Sequence, residues 1–178
     1  MPSEAATNRF ATAPSQMTDD AFMTSFGSIY EHADWVASTI LADGVSGADD
    51  EISHLAMRMA AIVDAAGHEA QLALLRAHPE LAGKLALAGE LTAESTNEQA
   101  GAGLDQCSPE EFDAFQRLNT AYGDKFGHPF IIAVRGLNRS DILAAFERRI
   151  DNDAATEFAT ALAEVHKIAR LRLEAMAG

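Results

Sequence analysis

The segment LLRAHPELAGK, Leu74 to Lys84, sets a histidine directly before a proline at the end of an Ala- and Leu-rich stretch. Proline disfavours the α region for the residue before it, so a helix through Gln71, Leu72, Leu74 and Leu75 should stop near His78 and leave its ring in a loop. An imidazolium at a helix C-terminus is stabilised by the helix dipole, and such a ring could deliver a proton near neutral pH. Taken alone, the residues favour a plain helix terminus at His78 over a catalytic one. His128, in KFGHPFI, also precedes a proline, and the same reasoning does not rank the two.

Two other segments have chemical potential. In LTAESTNEQAGAGL, Ser95 and Glu98 stand three residues apart in a capping-box pattern, which by itself gives Glu98 a structural role. The alternative is a helix start whose backbone N–H groups at Asn97, Glu98 and Gln99 form a cup for an anion or carbonyl, with Ser95 at its mouth. In the last helical stretch, a rotation of about 100° per residue from Phe158 gathers Leu162, Val165, Ala169 and Met176 within about 40° of one direction. Arg172 shares that stripe and Arg170 points away. An arginine on a buried face is either an ion-pair member or snorkelling side chain, or a cation whose planar fork suits a carboxylate or urea-like group.

Other candidates are weaker. Glu51 and His54 reproduce one Glu-x-x-His, where di-iron bundles use two, so no metal is expected. Cys107 has no basic cluster nearby in sequence and reads as an inert thiol. Tyr30, Glu31, His32 and Trp35 read as packing and helix-face residues.

The elements that must position these residues are helical. Thr18 caps a helix carrying Phe22, Phe26, Ile29 and Tyr30, and YEHADWVASTILADG gives a second, ending at Gly44. Ile52, Leu55, Met59, Ile62 and Val63 mark a third, stopped by Gly67, and HEAQLALLRA is the short helix that delivers His78. SPEE, Ser108 to Glu111, is a capping box with proline at the first helical position; its helix, bearing Phe112, Phe115, Leu118, Asn119 and Tyr122, is expected to end near Gly123. Leu143, Phe146 and Ile150 share a stripe, and a long final helix starts near Asn152 or Asp153. Only PFIIAVRG, Pro129 to Gly136, resembles a strand; lacking a partner, it is expected as extended or irregular chain among helices. The expectation is thus an all-α fold of about seven to nine helices, with a loose tail over residues 1–17 and one helical domain over residues 18–178.

Composition narrows the function. Thirteen basic against 27 acidic residues leave a net charge of −14, which argues against nucleic-acid or anionic-membrane partners. A single cysteine excludes an internal disulfide. No apolar run is long enough to span a membrane, and the first residues lack the pattern of a signal peptide, so a cytoplasmic setting is expected. The final AMAG is not a peroxisomal tripeptide.

Taken in order, SIYEHADWVA, HPELAGK, LTAESTNEQAGAGLD, FQRLNTAYGDKFGHPFIIAVRG and VHKIARLRL make the chain resemble one family over roughly residues 20 to 176. These are the 2-oxo-4-hydroxy-4-carboxy-5-ureidoimidazoline (OHCU) decarboxylases of urate degradation. The resemblance implies an all-helical fold, no cofactor, a small ureido-imidazoline substrate, conversion of OHCU to S-allantoin and carbon dioxide, and a homodimer. By motif position it implies His78 as general acid/base, Glu98 as its acidic partner and Arg172 as the C-terminal arginine. Substrate contacts would come from Pro79, Ser95, Thr96, Asn97 and Gln99, and from the main chain of Phe130, Ile131, Ile132, Ala133 and Val134. His128 occupies a position where an aromatic such as phenylalanine is also at home, so a second imidazole either lines the pocket or fills space. The rival class is a non-enzymatic helical module that binds a protein partner or a small ureide.

Overall fold

The computed structural model describes residues 8–83 and 89–178. Among them are eight α-helices and no regular strand, within the seven to nine helices expected. They are α1 (Asp19–Phe26), α2 (Trp35–Asp43), α3 (Ile52–Ala65), α4 (His68–Ala77), α5 (Ala93–Gly101), α6 (Pro109–Phe126), α7 (Arg139–Arg149) and α8 (Ala154–Glu174). Contacts group the chain into two units, residues 1–74 with 166–178, and residues 75–165. No helix of the described residues is long and apolar enough to cross a membrane.

The first unit is built on the apolar faces the spacing predicted. Thr18 caps α1 by accepting from the Ala21 N–H, and Phe22 and Phe26 are buried from that helix. Ile29 and Tyr30, expected to continue it, are buried but lie in turns, because α1 stops at Gly27. Ile52, Leu55, Met59 and Val63 form the buried face of α3, and Gly67 follows it with φ +87°. Tyr30 Oη lies 2.8 Å from His166 Nδ1, whose Nε2 lies 2.9 Å from Asp64, a polar chain that ties the Tyr30 turn to α3 and α8.

Within the stretch read as a loose tail, residues 1–7 lie outside the described residues, but Asn8 to Met17 are pinned. Phe10 is buried and meets Phe26 edge-on at 5.3 Å. Its N–H donates to Asp50 O at 3.2 Å, the Ala11 N–H donates to Met176 O at 3.1 Å, and the Ser15 N–H and hydroxyl both reach the Asp50 carboxylate at 2.9 Å. A single aromatic anchor was too short a pattern to outweigh the Pro, Ser and Thr around it.

In the second unit α6 begins as its sequence dictates. Ser108 Oγ accepts from the Glu111 N–H at 3.1 Å and Glu111 Oε1 accepts from the Ser108 N–H at 3.1 Å, with Pro109 at the first position. The helix passes through Gly123 and ends at Gly127, which adopts φ +74°. An interior glycine costs only about 1 kcal/mol relative to alanine, too little to stop a helix with favourable residues on both sides. The left-handed conformation that closes it is needed four residues later, immediately before His128-Pro129.

Tyr122, Phe115, Phe130, Ile142 and Phe146 fill the core of this unit. Phe130 stacks on Phe146 with centroids 3.9 Å apart, and Tyr122 meets both rings edge-on. The Tyr122 hydroxyl donates to Glu157, which has no exposed surface and also accepts from Arg149 at 2.9 Å and Asn152 at 2.9 Å. Arg149 completes its fork on Ile131 O at 2.7 Å and lies 4.3 Å from the Phe130 ring centre. Burial pushes the Glu157 carboxyl up, but the donors from Arg149, Tyr122 and Asn152 outweigh it and hold the group below its ordinary value.

Because the folded-state value is depressed, the stabilisation from Glu157 is fully present above its ordinary value of 4.5 and is lost as pH falls from there through the folded value. Glu157→Gln leaves Arg149 buried without its counter-charge and is expected to cost about 3–5 kcal/mol at neutral pH. Urea denaturation across pH should show that gap narrowing in acid; equal stability of the two proteins at pH 7 would refute the role given to this cluster.

Candidate active site

His78 follows the last residue of α4, and its N–H still donates to Leu75 O at 3.2 Å. Pro79 has no N–H and cannot prolong the ladder, so the half-buried ring leaves the helix axis as the sequence requires. It lines a cavity of about 410 Å³ together with Arg76, Pro79, Glu80, Gly127 and His128. Arg76 Nε donates to Gly127 O at 2.9 Å, so one bond fastens the helix end that carries His78 to the turn that carries His128. His78 Nδ1 lies 3.5 Å from Pro79 O, at the outer limit of hydrogen bonding, whereas His128 Nδ1 lies 3.0 Å from Pro129 O.

The loop after Pro79 is held by side-chain amides. Gln99 Oε1 accepts from the Ala82 N–H at 3.0 Å and its Nε2 donates to Glu80 O at 3.3 Å. Asn119 Nδ2 donates to Leu81 O at 3.0 Å, and Gln116 Nε2 donates to Ala82 O at 2.8 Å. Ala82 sits at φ +49°, a left-handed conformation that costs a residue with a Cβ about 1 kcal/mol or more. Asn119 Oδ1 is buried with no partner among the described residues, so the clamp is bought partly with an unmatched acceptor. The Lys84 of the HPELAGK motif lies outside the described residues.

Gln99 neighbours Glu98 on α5, so its two bonds tie the helix bearing Glu98 to the loop that follows His78. That helix starts a turn earlier than the sequence suggested. Thr92, not Ser95, is the N-cap and accepts from the Ser95 N–H at 3.2 Å. The N–H groups of Asn97, Glu98 and Gln99 therefore fall beyond the first turn, and the alternative of a donor cup at these three residues is not formed. The Thr92 cap places Ser95 inside the helix, where it is buried. Glu98 is half-buried, and Thr96 and Asn97 are exposed. Thr96 and Gln99 line a separate, more apolar cavity of about 530 Å³ with Leu91, Leu104, Cys107 and Phe112. Burial pushes the Cys107 thiol up, with Glu111 adding to it, as suits an unreactive thiol.

The segment from Pro129 to Val134 has no regular structure, as expected of it, and Phe130, Ile131, Ala133 and Val134 are buried. Its main chain is met by side chains: Ile131 O accepts from Arg149, and the Ala133 N–H donates to Glu164 at 2.7 Å. Pro129 lines the cavity of about 410 Å³, whereas Phe130 to Val134 line neither cavity. Sequence reasoning did not single out Glu164, Arg149 or the amides of Gln116 and Asn119. The one visible signal was Asn119, a polar side chain on the apolar face of α6.

Arg172 belongs to the first unit and is buried, as the helical count required. Its Nη1 lies 2.9 Å from Glu31 and 3.4 Å from both Ser28 O and Ile29 O. Arg170 is exposed and pairs with Glu174 one turn on. The reading of Glu31 as a packing or helix-face residue is thereby corrected: its carboxylate is the counter-charge of Arg172. His54 Nδ1 lies 3.0 Å from the buried Asp49, which also pairs with Arg58 at 2.6 Å, so half of the Glu-x-x-His pattern is a hydrogen-bond partner of Asp49. Among the described residues no group of three potential ligands could hold a metal ion.

Comparison with known proteins places these features. The family model described as OHCU decarboxylase matches residues 15–174. A 2-oxo-4-hydroxy-4-carboxy-5-ureidoimidazoline decarboxylase of Haloferax volcanii is 46% identical over 158 residues, 89% of this chain and 90% of that one. A uric acid degradation bifunctional protein of Bacillus subtilis is 38% identical over 89% of this chain, which covers 31% of that protein. A crystal structure of an (S)-allantoin synthase superposes with a TM-score of 0.73 at 34% identity, over 92% of this chain and 52% of that one; this chain spans about half its length.

Gln99→Leu removes both bonds to the loop and strands the Ala82 N–H and the Glu80 carbonyl. It should lower stability by about 1–3 kcal/mol, with Gln116→Leu nearer the low end. Chemical denaturation of both variants checks this, and wild-type stability for Gln99→Leu would show that the clamp carries no load.

Proposed function

The chain belongs to the OHCU decarboxylase family, and from that premise we propose how its own residues decarboxylate OHCU to (S)-allantoin in urate degradation. The substrate carries its carboxyl and hydroxyl groups on a carbon next to a ring C=N. When the bond to the carboxyl carbon breaks, carbon dioxide leaves and the electron pair is taken up by the neighbouring C=N. No metal or pyridoxal sink is required for that step. A proton then arrives on one face of the ureido-bearing carbon, while the hydroxyl becomes the carbonyl and its proton is balanced by protonation of the ring nitrogen that took up the pair. The protein must hold the carboxylate out of the ring plane, stabilise developing charge and choose the face.

His78 is the proton carrier in this scheme, and Glu98 orients and polarises the imidazole or the substrate hydroxyl. The observation that carries the assignment is the pair of bonds from Gln99 to Glu80 and Ala82, which couples the helix of Glu98 to the loop of His78 beside a cavity that His78 lines. The family resemblance adds Arg172 as the cation for the carboxylate or ureido end, Pro79, Ser95, Thr96, Asn97 and Gln99 as substrate contacts, and the Phe130 to Val134 main chain as a further contact surface. It also gives a homodimer as the working assembly, which the mass in solution from light scattering tests, and the sequence pattern adds a cytoplasmic setting.

Fresh urate-oxidation products mixed with the purified protein should give (S)-allantoin faster than the buffer control, followed by circular dichroism. No acceleration would leave the non-enzymatic helical module as the better description. His78→Ala should lower kcat by about 10²–10⁴-fold while the far-ultraviolet spectrum stays helical; a fully active variant removes His78 from the chemistry. Arg172→Ala should impair substrate use, whereas Arg170→Ala should not. Equal behaviour of the two arginine variants would sink the role given to Arg172.

A further inference from the structure

The cavity lined by His78 contains a second imidazole that the scheme above does not use. His128 is buried, with only 4% of its surface exposed, and reaches the cavity from the turn that Arg76 fastens to the end of α4. Three aromatic rings fix its plane: Tyr122 edge-on at 5.6 Å, Phe126 stacked at 6.2 Å and Phe158 edge-on at 6.4 Å. As packing alone, a phenylalanine would serve in such a cage, and burying an imidazole there is costly unless both ring nitrogens have work.

One nitrogen is accounted for. A carbonyl oxygen can only accept, so the 3.0 Å contact with Pro129 O requires the proton on Nδ1. In the neutral ring this leaves Nε2 bare, an acceptor, and none of the described residues donates to it. The corresponding contact of His78, from Nδ1 to Pro79 O, is longer, at 3.5 Å. The two His-Pro junctions thus present one cavity with two imidazoles, and the His128 ring is fixed in the tautomer suited to accepting a hydrogen bond at Nε2.

We propose that His128 is a specificity-determining substrate contact, its Nε2 accepting a hydrogen bond from an N–H of the ureido-imidazoline bound beside His78. The proposal rests on the decarboxylase reading. It adds a recognition element for urea-type N–H groups, which a phenylalanine at the same position would lack.

The test is steady-state kinetics on OHCU, by the circular-dichroism assay, for wild type, His128→Phe, His128→Asn and His128→Gln. Phenylalanine keeps the ring without nitrogen; asparagine keeps a donor near Nδ1 but offers nothing at Nε2; glutamine reaches the Nε2 position. Loss of one substrate hydrogen bond should raise KM about tenfold to a hundredfold in the Phe and Asn variants with kcat nearly unchanged, and Gln should recover part of it. If the Phe variant does not fold, the Asn variant alone decides. An unchanged KM in the folded Phe or Asn variant overturns the proposal, as does a loss confined to kcat, which would make His128 a proton-transfer group. Wild type separates the two failures: inactive wild type overturns both this contact and the decarboxylase reading, whereas active wild type with a flat KM across the variants overturns the contact alone.

Discussion

The peptide groups of Glu80, Leu81 and Ala82 leave a helix end, turn through a left-handed residue and are met by side-chain amides instead of by other backbone. That constraint governs the second unit. Pro79 stops α4 and frees the His78 ring, but it also ends the hydrogen-bond ladder that had fixed everything before it. Gln99 from α5, and Gln116 and Asn119 from α6, replace the ladder with bonds whose geometry is set by two other helices. The orientation of His78 is therefore determined by the packing of α5 and α6 as much as by α4, and Glu98 inherits its place from the same arrangement through its neighbour Gln99.

How much of this could be read from the sequence follows from the range of each interaction. Signals carried by a single helix or its ends were legible: the Ser108 box, the Thr18 cap, the stop at Pro79 and the buried face holding Arg172 but not Arg170. At Ser95 and Gly123 the local reading misplaced a helix end: the cap is Thr92 and the closing glycine is Gly127. The amide clamp was out of reach because its partners lie 17 to 38 residues apart. The irregular segment after His128 was visible as an oddity. The groups that hold it, Arg149 and Glu164, sit on helices whose sequences give no hint of that duty.

The charge balance acquires a different meaning once the buried groups are placed. Cations are scarce in this chain, yet Arg58, Arg149 and Arg172 are each committed to a mostly or wholly buried carboxylate, on Asp49, Glu157 and Glu31. Each carboxylate is close to or fully buried, so a missing arginine would leave a charge in a poorly solvated place. The acidic excess is therefore largely a surface property, and the interior is close to neutral pair by pair. Arg172 in particular is held by a partner of opposite charge, which fixes the orientation of its guanidinium fork.

The pinning of Phe10 and Ala11 to Asp50 and Met176 also has a consequence for the order of assembly. The first unit draws on both ends of the described chain and cannot close until residues 166–178 have been synthesised. The second unit is continuous, so every residue of its clamp and its aromatic core has left the ribosome before the first unit has its last helix turns. During synthesis the surroundings of His78 can thus form while the segment that ends in Leu74 still waits for the strand of chain that will cover it.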